Sequence, residues 1–307
     1  TTLFRSRVKI SIGIPTYNQA EYLEETILSV LNQTVAAYEI VVSNNHSTDD
    51  TEKILDKYSD VIRVIQPPTH LTMVENWNFL VRHLTGEWIS ILSSDDTYLP
   101  NFIQLVTDNI TTNAVLVHCK FNLMDEKSKI IEKDKCAKFL WRVTPFPSNL
   151  IEEMSANKLS FAAYSIKRVA LEKIGYFDER VILDSDWATW CKISCLGDFV
   201  FVPSTGANYR YQYRENIQIK RLEQETLDQA IIINSIIGDI FKKHKLDLKL
   251  YELAKGIYLK NRLKLYKKNK IDYSDMLELY NIDISMMQKY GFWSRLILYI
   301  RERILKH

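Results

Sequence analysis

Strand and helix patterns alternate along the first third of this 307-residue chain. Residues 8–14 alternate polar and apolar side chains and include several β-branched residues, which predicts a strand, and residues 20–33 carry apolar side chains at helical spacing. Three further strands and two further helices follow in the same order, at 39–43, 49–58, 61–66, 73–84 and 88–92. This order predicts an α/β fold in which helices cover both faces of a largely parallel sheet.

The pattern changes twice after this first part. Residues 114–215 mix short strands with helices, at 115–121, 167–174, 185–195, 199–202 and 208–214. From about residue 222 onward only helical spacing remains. We therefore predict one domain over 1–215, with halves at about 8–112 and 113–215, followed by a helical region over 216–307.

Composition argues against several classes of protein. The formal net charge is only +2, which speaks against a general nucleic-acid-binding role, and the four cysteines have no metal-ligand spacing. No apolar run reaches the roughly 18 residues of a membrane-spanning helix, and residues 1–15 contain no signal-peptide core. These features predict a cytoplasmic globular protein without a nucleic-acid partner.

Polar clusters stand where three predicted strands end. Thr16–Asn18 follow the first strand, Asn44–Asp49 the second, and Ser93–Asp96 the fourth. Ligands of open α/β sheets bind at the carboxyl ends of the strands. The three clusters therefore predict one binding site at that edge of the sheet, although each cluster alone also suits an ordinary turn that caps a helix.

Two pairs of acidic residues are candidates for chemistry. Adjacent carboxylates after a buried strand, as at Asp95 and Asp96, are costly unless a cation or hydrogen bonds compensate them, so they suit a divalent cation that carries a diphosphate. Asp184 and Asp186 precede a helical segment, and a carboxylate there can act as a general base on a hydroxyl. The alternative for both pairs is helix capping.

Four segments in order resemble the family-two glycosyltransferases, which are inverting enzymes of the GT-A fold. They are SIGIPTYNQAEYLEETILSVLNQT, EIVVSNNHSTDDT, Asn78 followed by GEWISILSSDD, and SIKRVALEKIGYFDE followed by DSDWATW. The likeness covers about residues 8–215. It implies a Rossmann-like mixed sheet flanked by helices, with the helical C-terminal region as an extension. It also implies a nucleotide-binding half over 8–112 and an acceptor half over 113–215.

The resemblance implies a role for each matching position. The nucleotide-sugar donor is expected at Pro15, Thr16, Tyr17, Asn18, Asn44, Asn78, Ser94 and Asp95. Asp95 falls on the last aspartate of the family's Asp-x-Asp signature and is the expected ligand of Mn²⁺ or Mg²⁺. Asp186 falls on the expected catalytic base, with Asp184 as a secondary candidate, and Trp187 is expected either to shape the acceptor pocket or to pack in the core. Asp96 is expected to have a supporting role beside Asp95 or to cap the following helix.

Three positions depart from the family pattern. Ser93 replaces the first acid of the signature and brings no charge to a metal. Asn44 replaces an aspartate, and because an amide both donates and accepts, UDP is expected but CDP and dTDP stay open. Gln212 stands where relatives often carry a histidine and is a weak metal ligand, so Arg210 or Arg214 is a further candidate for neutralising phosphate.

The expected reaction is inverting sugar transfer from a UDP-sugar to a glycan, or lipid-linked glycan, in bacterial O-antigen or capsule synthesis. Lysine and arginine crowd residues 241–270, and apolar residues of 293–304 share one helical face, which predicts binding to an anionic membrane surface on the cytoplasmic face of the inner membrane. Packing of these helices on the catalytic domain is the alternative. A sugar nucleotidyltransferase, which should carry a glycine-rich loop after the first strand, and a non-catalytic nucleotide-sugar-binding module are the competing functions.

Overall fold

The computed structural model describes residues 8–136, 142–154, 157–211, 224–248 and 251. By compactness the chain divides into one unit of 1–149 and 158–213 and a second unit of 150–157 and 214–307. The candidate site lies in the first unit. The predicted sites Gln212 and Arg214, and the basic region from 252 onward, lie outside the described residues.

Ten strands are found in the described part of the chain. They are β1 (Ile10–Thr16), β2 (Glu39–Asn44), β3 (Arg63–Ile65), β4 (Trp88–Ile91), β5 (Thr97–Tyr98), β6 (Ala114–Met124), β7 (Ile130–Lys135), β8 (Val143–Thr144), β9 (Tyr164–Lys167) and β10 (Asp198–Arg210). They form one mixed sheet with the order β3-β2-β1-β4-β9-β6-β10-β5, in which β7 pairs with β6 and β8 with β10. The run β3-β2-β1-β4 is parallel, and β9 is antiparallel to both of its neighbours.

Eight α-helices are found in the same described ranges. They are α1 (Ala20–Leu31), α2 (Thr51–Lys57), α3 (Met73–Arg82), α4 (Phe102–Asn109), α5 (Ser148–Glu153), α6 (Arg168–Lys173), α7 (Ser185–Ile193) and, in the second unit, α8 (Gln224–Lys243). None of the helices within the described ranges has the length and apolar content needed to span a bilayer.

Alternation along the strands separates the hydrophobic core into two layers. Ile10, Ile12 and Ile14 of β1 pack with Leu23 and Ile27 of α1 on one face. On the other face, Ile89 and Ile91 of β4 pack with Val74 and Leu80 of α3 and with Trp190 of α7. Because both faces are covered, the predicted α/β sheet with helices on both sides is confirmed.

Two local features fix the elements that carry the site. A capping box starts α3, in which the Thr72 hydroxyl accepts from the Glu75 backbone N–H and the Glu75 carboxylate accepts from the Thr72 backbone N–H. Gly86 leads into β4, and a Cβ there would stand 2.5 Å from the Ser11 hydroxyl oxygen and 2.9 Å from the Lys9 main-chain oxygen. Only glycine lets β4 approach β1 this closely.

Some predicted boundaries are wrong for identifiable reasons. β1 runs past Pro15 to Thr16. Its pairing with β4 ends at Gly13, so the missing N–H of Pro15 leaves no hydrogen bond unmade between these two strands. The two strands expected at 199–202 and 208–214 are one strand, β10, which accommodates the exposed Pro203 at a register shift.

Candidate functional site

The loops after β1 and β2 are joined by hydrogen bonds. Thr16 pairs with Asn44 at the ends of the two strands. The backbone N–H of Asn18 donates to the Ser47 hydroxyl at 3.0 Å, and the Asn18 side-chain oxygen accepts from the backbone N–H of Thr48 at 2.7 Å. Asn18 itself has a positive φ of 51°, which asparagine tolerates better than most residues. Its side chain therefore shapes the edge of the site from within the loop.

Asn44 has a defined amide orientation. Its Oδ1 accepts the backbone N–H of Ser47 at 3.0 Å, and since that partner can only donate, the oxygen and nitrogen of the amide are assigned by the network. No described residue accepts from Asn44 Nδ2. The hydroxyl of Thr16, at the neighbouring strand end, is buried without a hydrogen-bond partner among the described residues. This edge of the sheet thus presents two polar groups whose hydrogen-bonding capacity the described chain does not use.

An aromatic pair stands beside these strand ends. Tyr17 is 46% exposed, and its ring centroid lies 4.5 Å from that of His70, with the planes tilted by 54°. His70 is held by its Nδ1, which lies 3.0 Å from the main-chain oxygen of Asn45. The sequence did not single out His70, because an exposed histidine in the loop PPTHLT carries no local signal.

The segment after β4 forms a turn fixed from the inside. The backbone N–H of Asp96 donates to the Ser93 carbonyl at 3.0 Å. The hydroxyl of Thr26, a buried residue of α1, lies within hydrogen-bond distance of both the Ser94 carbonyl (3.0 Å) and the Asp96 carbonyl (2.8 Å). Two carbonyls of the turn therefore face α1 and share the Thr26 hydroxyl as their hydrogen-bond donor.

The two aspartates of this turn differ in environment. Asp96 is only 1% exposed, its Oδ1 accepts the backbone N–H of Arg210 at 2.7 Å, and its Oδ2 has no partner among the described residues. Burial, and secondly the neighbouring charge of Asp95, raise the pKa of Asp96 well above its usual value. Asp96 does not cap α4, whose N-cap is Asn101. Asp96 is thus an interior carboxyl that joins the turn to the end of β10.

Asp95 is half-buried and lies at the apex of the turn. No group of three or more His, Cys, Asp and Glu side chains suited to a metal occurs in the part of the chain that the structure describes. One carboxylate with the neighbouring half-buried Ser93 nevertheless fits Mg²⁺ or Mn²⁺, because Mg²⁺ keeps several waters and is held by one or two carboxylates together with substrate phosphates. The donor set consists of hard oxygens only.

Asp186 lies in the first turn of α7. Its Oδ1 accepts the backbone N–H of Trp187 at 2.7 Å, which orients the carboxylate. Asp186 also interacts with Tyr164, the first residue of β9, and it adds to the rise in the pKa of Tyr164 that burial mainly causes. Because β9 is antiparallel to β4, its start lies at the carboxyl end of β4. Asp186 therefore lies at the same edge of the sheet as the Asp95 turn.

The two other candidates of this segment, Asp184 and Trp187, lie on either side of Asp186. Asp184 occupies the N-cap position of α7, but its side chain makes no capping hydrogen bond. Trp187 is 2% exposed, so the structure agrees with core packing, one of the two expected roles of this side chain. Neither residue presents a large exposed surface to an acceptor.

Asn78 was expected at the donor and Arg210 was a candidate for neutralising phosphate, but both side chains have protein partners. The Asn78 side chain is 1% exposed and its amide hydrogen-bonds with Phe177 and Glu179. The Arg210 side chain is fully buried and donates to several protein acceptors, among them the main-chain oxygen of Asp95. Both residues fix the segments that carry candidate acids, and the structure brings neither to the surface of the site.

The comparison with known families decides the class of protein. The sequence model of the protein family described as Glycosyl transferase family 2 matches residues 11–175, which is more than half of the chain. The chain belongs to glycosyl transferase family 2. The family match includes all three polar strand ends, of which the Asp95 turn is the third. Membership confirms the expected glycosyltransferase activity and decides against a sugar nucleotidyltransferase.

Curated relatives of this family-2 glycosyltransferase are similar along most of its length. A glycosyltransferase of Rickettsia prowazekii is 28% identical over 272 residues, which are 80% of this chain and 83% of the relative. Chondroitin synthase of Escherichia coli is 25% identical over 241 residues, which are 77% of this chain but 34% of that enzyme.

Solved structures confirm the GT-A fold. S. aureus TarS (residues 1–349) in complex with UDP-GlcNAc aligns with a TM-score of 0.64 and 16% identity, over 92% of this chain and 78% of that chain. GalNAc-T7 with UDP, GalNAc and Mn²⁺ aligns with a TM-score of 0.54 and 18% identity, over 66% of this chain and 43% of that chain.

Proposed function

We propose that this glycosyltransferase moves a sugar from a UDP-sugar to a glycan acceptor with inversion at the anomeric carbon. The observation that carries the proposal is that β1, β2 and β4 end at the edge of the sheet where Asp186 of α7 interacts with Tyr164 at the start of β9, so that Asn44, Asp95 and Asp186 share that edge. The TarS complexes with UDP and UDP-GlcNAc support uridine as the nucleoside.

The donor nucleotide lies in this proposal against the ends of β1 and β2. Tyr17 and His70 supply the aromatic surface that a base requires. Asn44 Nδ2 and the Thr16 hydroxyl supply hydrogen-bonding groups that have no described protein partner. The diphosphate then extends toward the turn after β4, where Asp95 lies.

Asp95 is the proposed ligand of Mn²⁺ or Mg²⁺, with the Ser93 hydroxyl as a neighbouring oxygen donor. When bound, the cation supplies positive charge to the diphosphate, whose negative charge grows as it leaves. Asp96 accepts a hydrogen bond from the Arg210 backbone N–H, which fixes the turn that carries Asp95, and Asp96 is not itself a ligand in this proposal.

Asp186 is the proposed general base. Its carboxylate takes the proton of an acceptor hydroxyl while that oxygen forms a bond to the anomeric carbon, and the bond from this carbon to the diphosphate oxygen breaks with its electron pair going to the diphosphate. Attack opposite the leaving group inverts the anomeric configuration. The hydrogen bond from the Trp187 backbone orients the carboxylate for this task.

A panel assay tests the proposed function. The purified chain is incubated with UDP-, CDP- and dTDP-sugars, each with and without Mn²⁺, and the released nucleoside diphosphate is measured. We expect release of UDP from one or more UDP-sugars and a requirement for the cation. Release of CDP or dTDP alone would reassign the nucleotide, and no release from any donor, with or without acceptor glycans, would contradict the proposal.

We also propose that the acceptor is a lipid-linked glycan of a bacterial surface polysaccharide, O-antigen or capsule, and that the protein works at an anionic membrane surface. The support is the excess of lysine and arginine in residues 241–270 and the basic amphipathic pattern of 293–304. Flotation with anionic and with neutral vesicles at low salt tests this point. Co-flotation with anionic vesicles alone is expected, and absence of binding to either vesicle would contradict it.

A further inference from the structure

The end of β10 is joined to the turn that carries Asp95. The backbone N–H of Arg210 donates to Asp96 Oδ1 at 2.7 Å, and the guanidinium Nε of the same residue donates to the Asp95 main-chain oxygen at 2.7 Å. One residue thereby holds two successive residues of the turn, one through its backbone and the other through its side chain. On the opposite side the Thr26 hydroxyl holds the carbonyl of Asp96 and that of Ser94.

The same guanidinium reaches two other elements. Its Nη2 donates to the carboxylate of Glu25 in α1 at 2.7 Å, and the group lies 4.3 Å from the ring centroid of Tyr22. Its Nη1 donates to the Asp125 carbonyl at 3.0 Å and to the Ser128 hydroxyl at 3.1 Å, both in the turn between β6 and β7. The side chain is 0% exposed, so water does not compete for these donors.

A buried arginine with this pattern of hydrogen bonds holds the elements that it contacts in a fixed arrangement. Its donors lie in a rigid plane and are used in three directions at once, a geometry that the single ammonium of lysine cannot reproduce. The ion pair with Glu25 offsets part of the cost of burying the charge. Since the guanidinium is directed to α1, the Asp95 carbonyl and the β6–β7 turn, it is not available to a phosphate in this arrangement.

We propose that Arg210 is a positioning residue, which holds the Ser94–Asp96 turn so that Asp95 is preset for the diphosphate end of the donor. This inference rests on the proposed function, because it assumes that Asp95 serves the metal-bound diphosphate. It assigns no contact with the substrate to Arg210. The site then has two parts. Arg210 does not contact the nucleoside part on β1 and β2, but it does contact the turn that forms the diphosphate part.

Binding titrations of UMP and UDP, each with and without Mn²⁺, test this separation in the full chain. For Arg210→Lys we expect the gain in UDP affinity that Mn²⁺ provides to fall by about tenfold or more, which is a loss of about 1.4 kcal/mol. The affinity for UMP without Mn²⁺ should stay within about twofold, because the nucleoside part is intact. Transfer should lose kcat by on the order of 10²-fold, the effect of a misplacement of about 1 Å.

Thr26 provides a second probe of the same turn if Arg210→Lys fails to fold. Thr26→Val removes the hydroxyl at nearly constant volume and should lower the same Mn²⁺-dependent gain, whereas Thr26→Ser keeps the hydroxyl and should retain it. Arg168→Lys is the matched control, because Arg168 likewise donates Nε to a main-chain oxygen, that of Gly86, and pairs with a glutamate, but away from the turn.

The outcomes separate the two proposals. Absence of UDP binding by the wild-type chain with Mn²⁺ would overturn the proposed uridine diphosphate donor, and this inference with it. Wild-type binding together with an unchanged Mn²⁺-dependent gain in both Arg210→Lys and Thr26→Val would overturn the positioning role alone. An equal loss of UMP and UDP affinity in folded variants would also overturn it, because the effect would then reach the whole site.

Discussion

Asn78 and Phe177 form a closed pair of hydrogen bonds between α3 and the loop that leads to α7. Asn78 Nδ2 donates to the Phe177 carbonyl, and the Phe177 backbone N–H donates to Asn78 Oδ1, both at 3.0 Å. The same amide nitrogen donates to the Glu179 carboxylate at 2.8 Å. An asparagine side chain thus completes the backbone hydrogen bonds of a buried residue 99 positions away and fixes the segment that precedes Asp186.

Replacing Asn78 should destabilise the fold more than a typical surface substitution. Asn78→Ala leaves the N–H and the carbonyl of Phe177 buried without partners, and we expect a loss of about 3 kcal/mol in the free energy of unfolding. Urea unfolding followed by circular dichroism measures the loss. Asn101→Ala is the control, because Asn101 is exposed and makes no capping hydrogen bond. Equal unfolding midpoints for the two variants would show that the pair with Phe177 contributes no stability.

Asn44 should read the base as a donor. Since Oδ1 accepts from the Ser47 backbone, Nδ2 is the side-chain atom left for a base in the proposed site, and an acceptor such as uracil O4 or cytosine N3 would be its complement. Asn44→Asp replaces this N–H with a carboxylate oxygen, so we expect the dissociation constant of UDP to rise by about tenfold or more. Titration of UDP measures it, with Asn101→Asp as a control for the added charge. Tighter binding by Asn44→Asp would show that the base presents a donor instead.

Much of the fold over residues 8–112 was predictable because its signals are local. β1 alternates apolar and polar side chains, β2 and β4 are short, mainly apolar runs, and the polar clusters follow directly after all three strands. By contrast, β9 was missed. Of its four residues only Lys167 fell in a predicted element, the helix at 167–174, and 164–166 were not assigned to any element. These residues form a strand because β4 and β6 pair with them on both sides.

The architecture of the site was less accessible than its location. The resemblance favoured Asp95 over Asp96 as a metal ligand, which stays a prediction, and the structure shows that Asp95 is half-buried whereas Asp96 is buried. The reason for the difference lies in contacts between residues far apart in the chain. Thr26 and Asp96 are separated by 70 positions, and Arg210 and Glu25 by 185. No periodicity or motif predicts such contacts, so Arg210 was expected at a phosphate and Thr26 was not singled out.

His118 should make the fold sensitive to acid. It is buried in β6, and burial lowers its pKa to about 3, whereas the pKa of a histidine in an unfolded chain is about 6.5. Between these values the unfolded chain binds a proton that the folded chain does not, so stability is lost as the pH falls below about 6.5. Between pH 7.5 and pH 5 this amounts to about 2 kcal/mol. His118→Gln cannot titrate and should lose that much less over the same range. Parallel curves of unfolding free energy against pH would contradict the assignment.

Asp186 should be required for transfer but not for donor binding. Asp186→Asn keeps the shape of the side chain and can still accept the Trp187 backbone N–H through its oxygen, so α7 and its first turn should remain intact. The amide cannot take a proton from the acceptor, and we expect kcat to fall by a factor of about 10² to 10⁴. The dissociation constant of the donor should change by no more than about twofold, because the proposed nucleotide site on β1, β2 and the Asp95 turn does not include Asp186. Steady-state kinetics and titration of UDP give the two numbers, and Asp56→Asn in the exposed face of α2 is the control for loss of a surface charge. If Asp186→Asn kept wild-type turnover, Asp186 would not be the base. If it lost UDP affinity as strongly as turnover, its role would be in binding the donor.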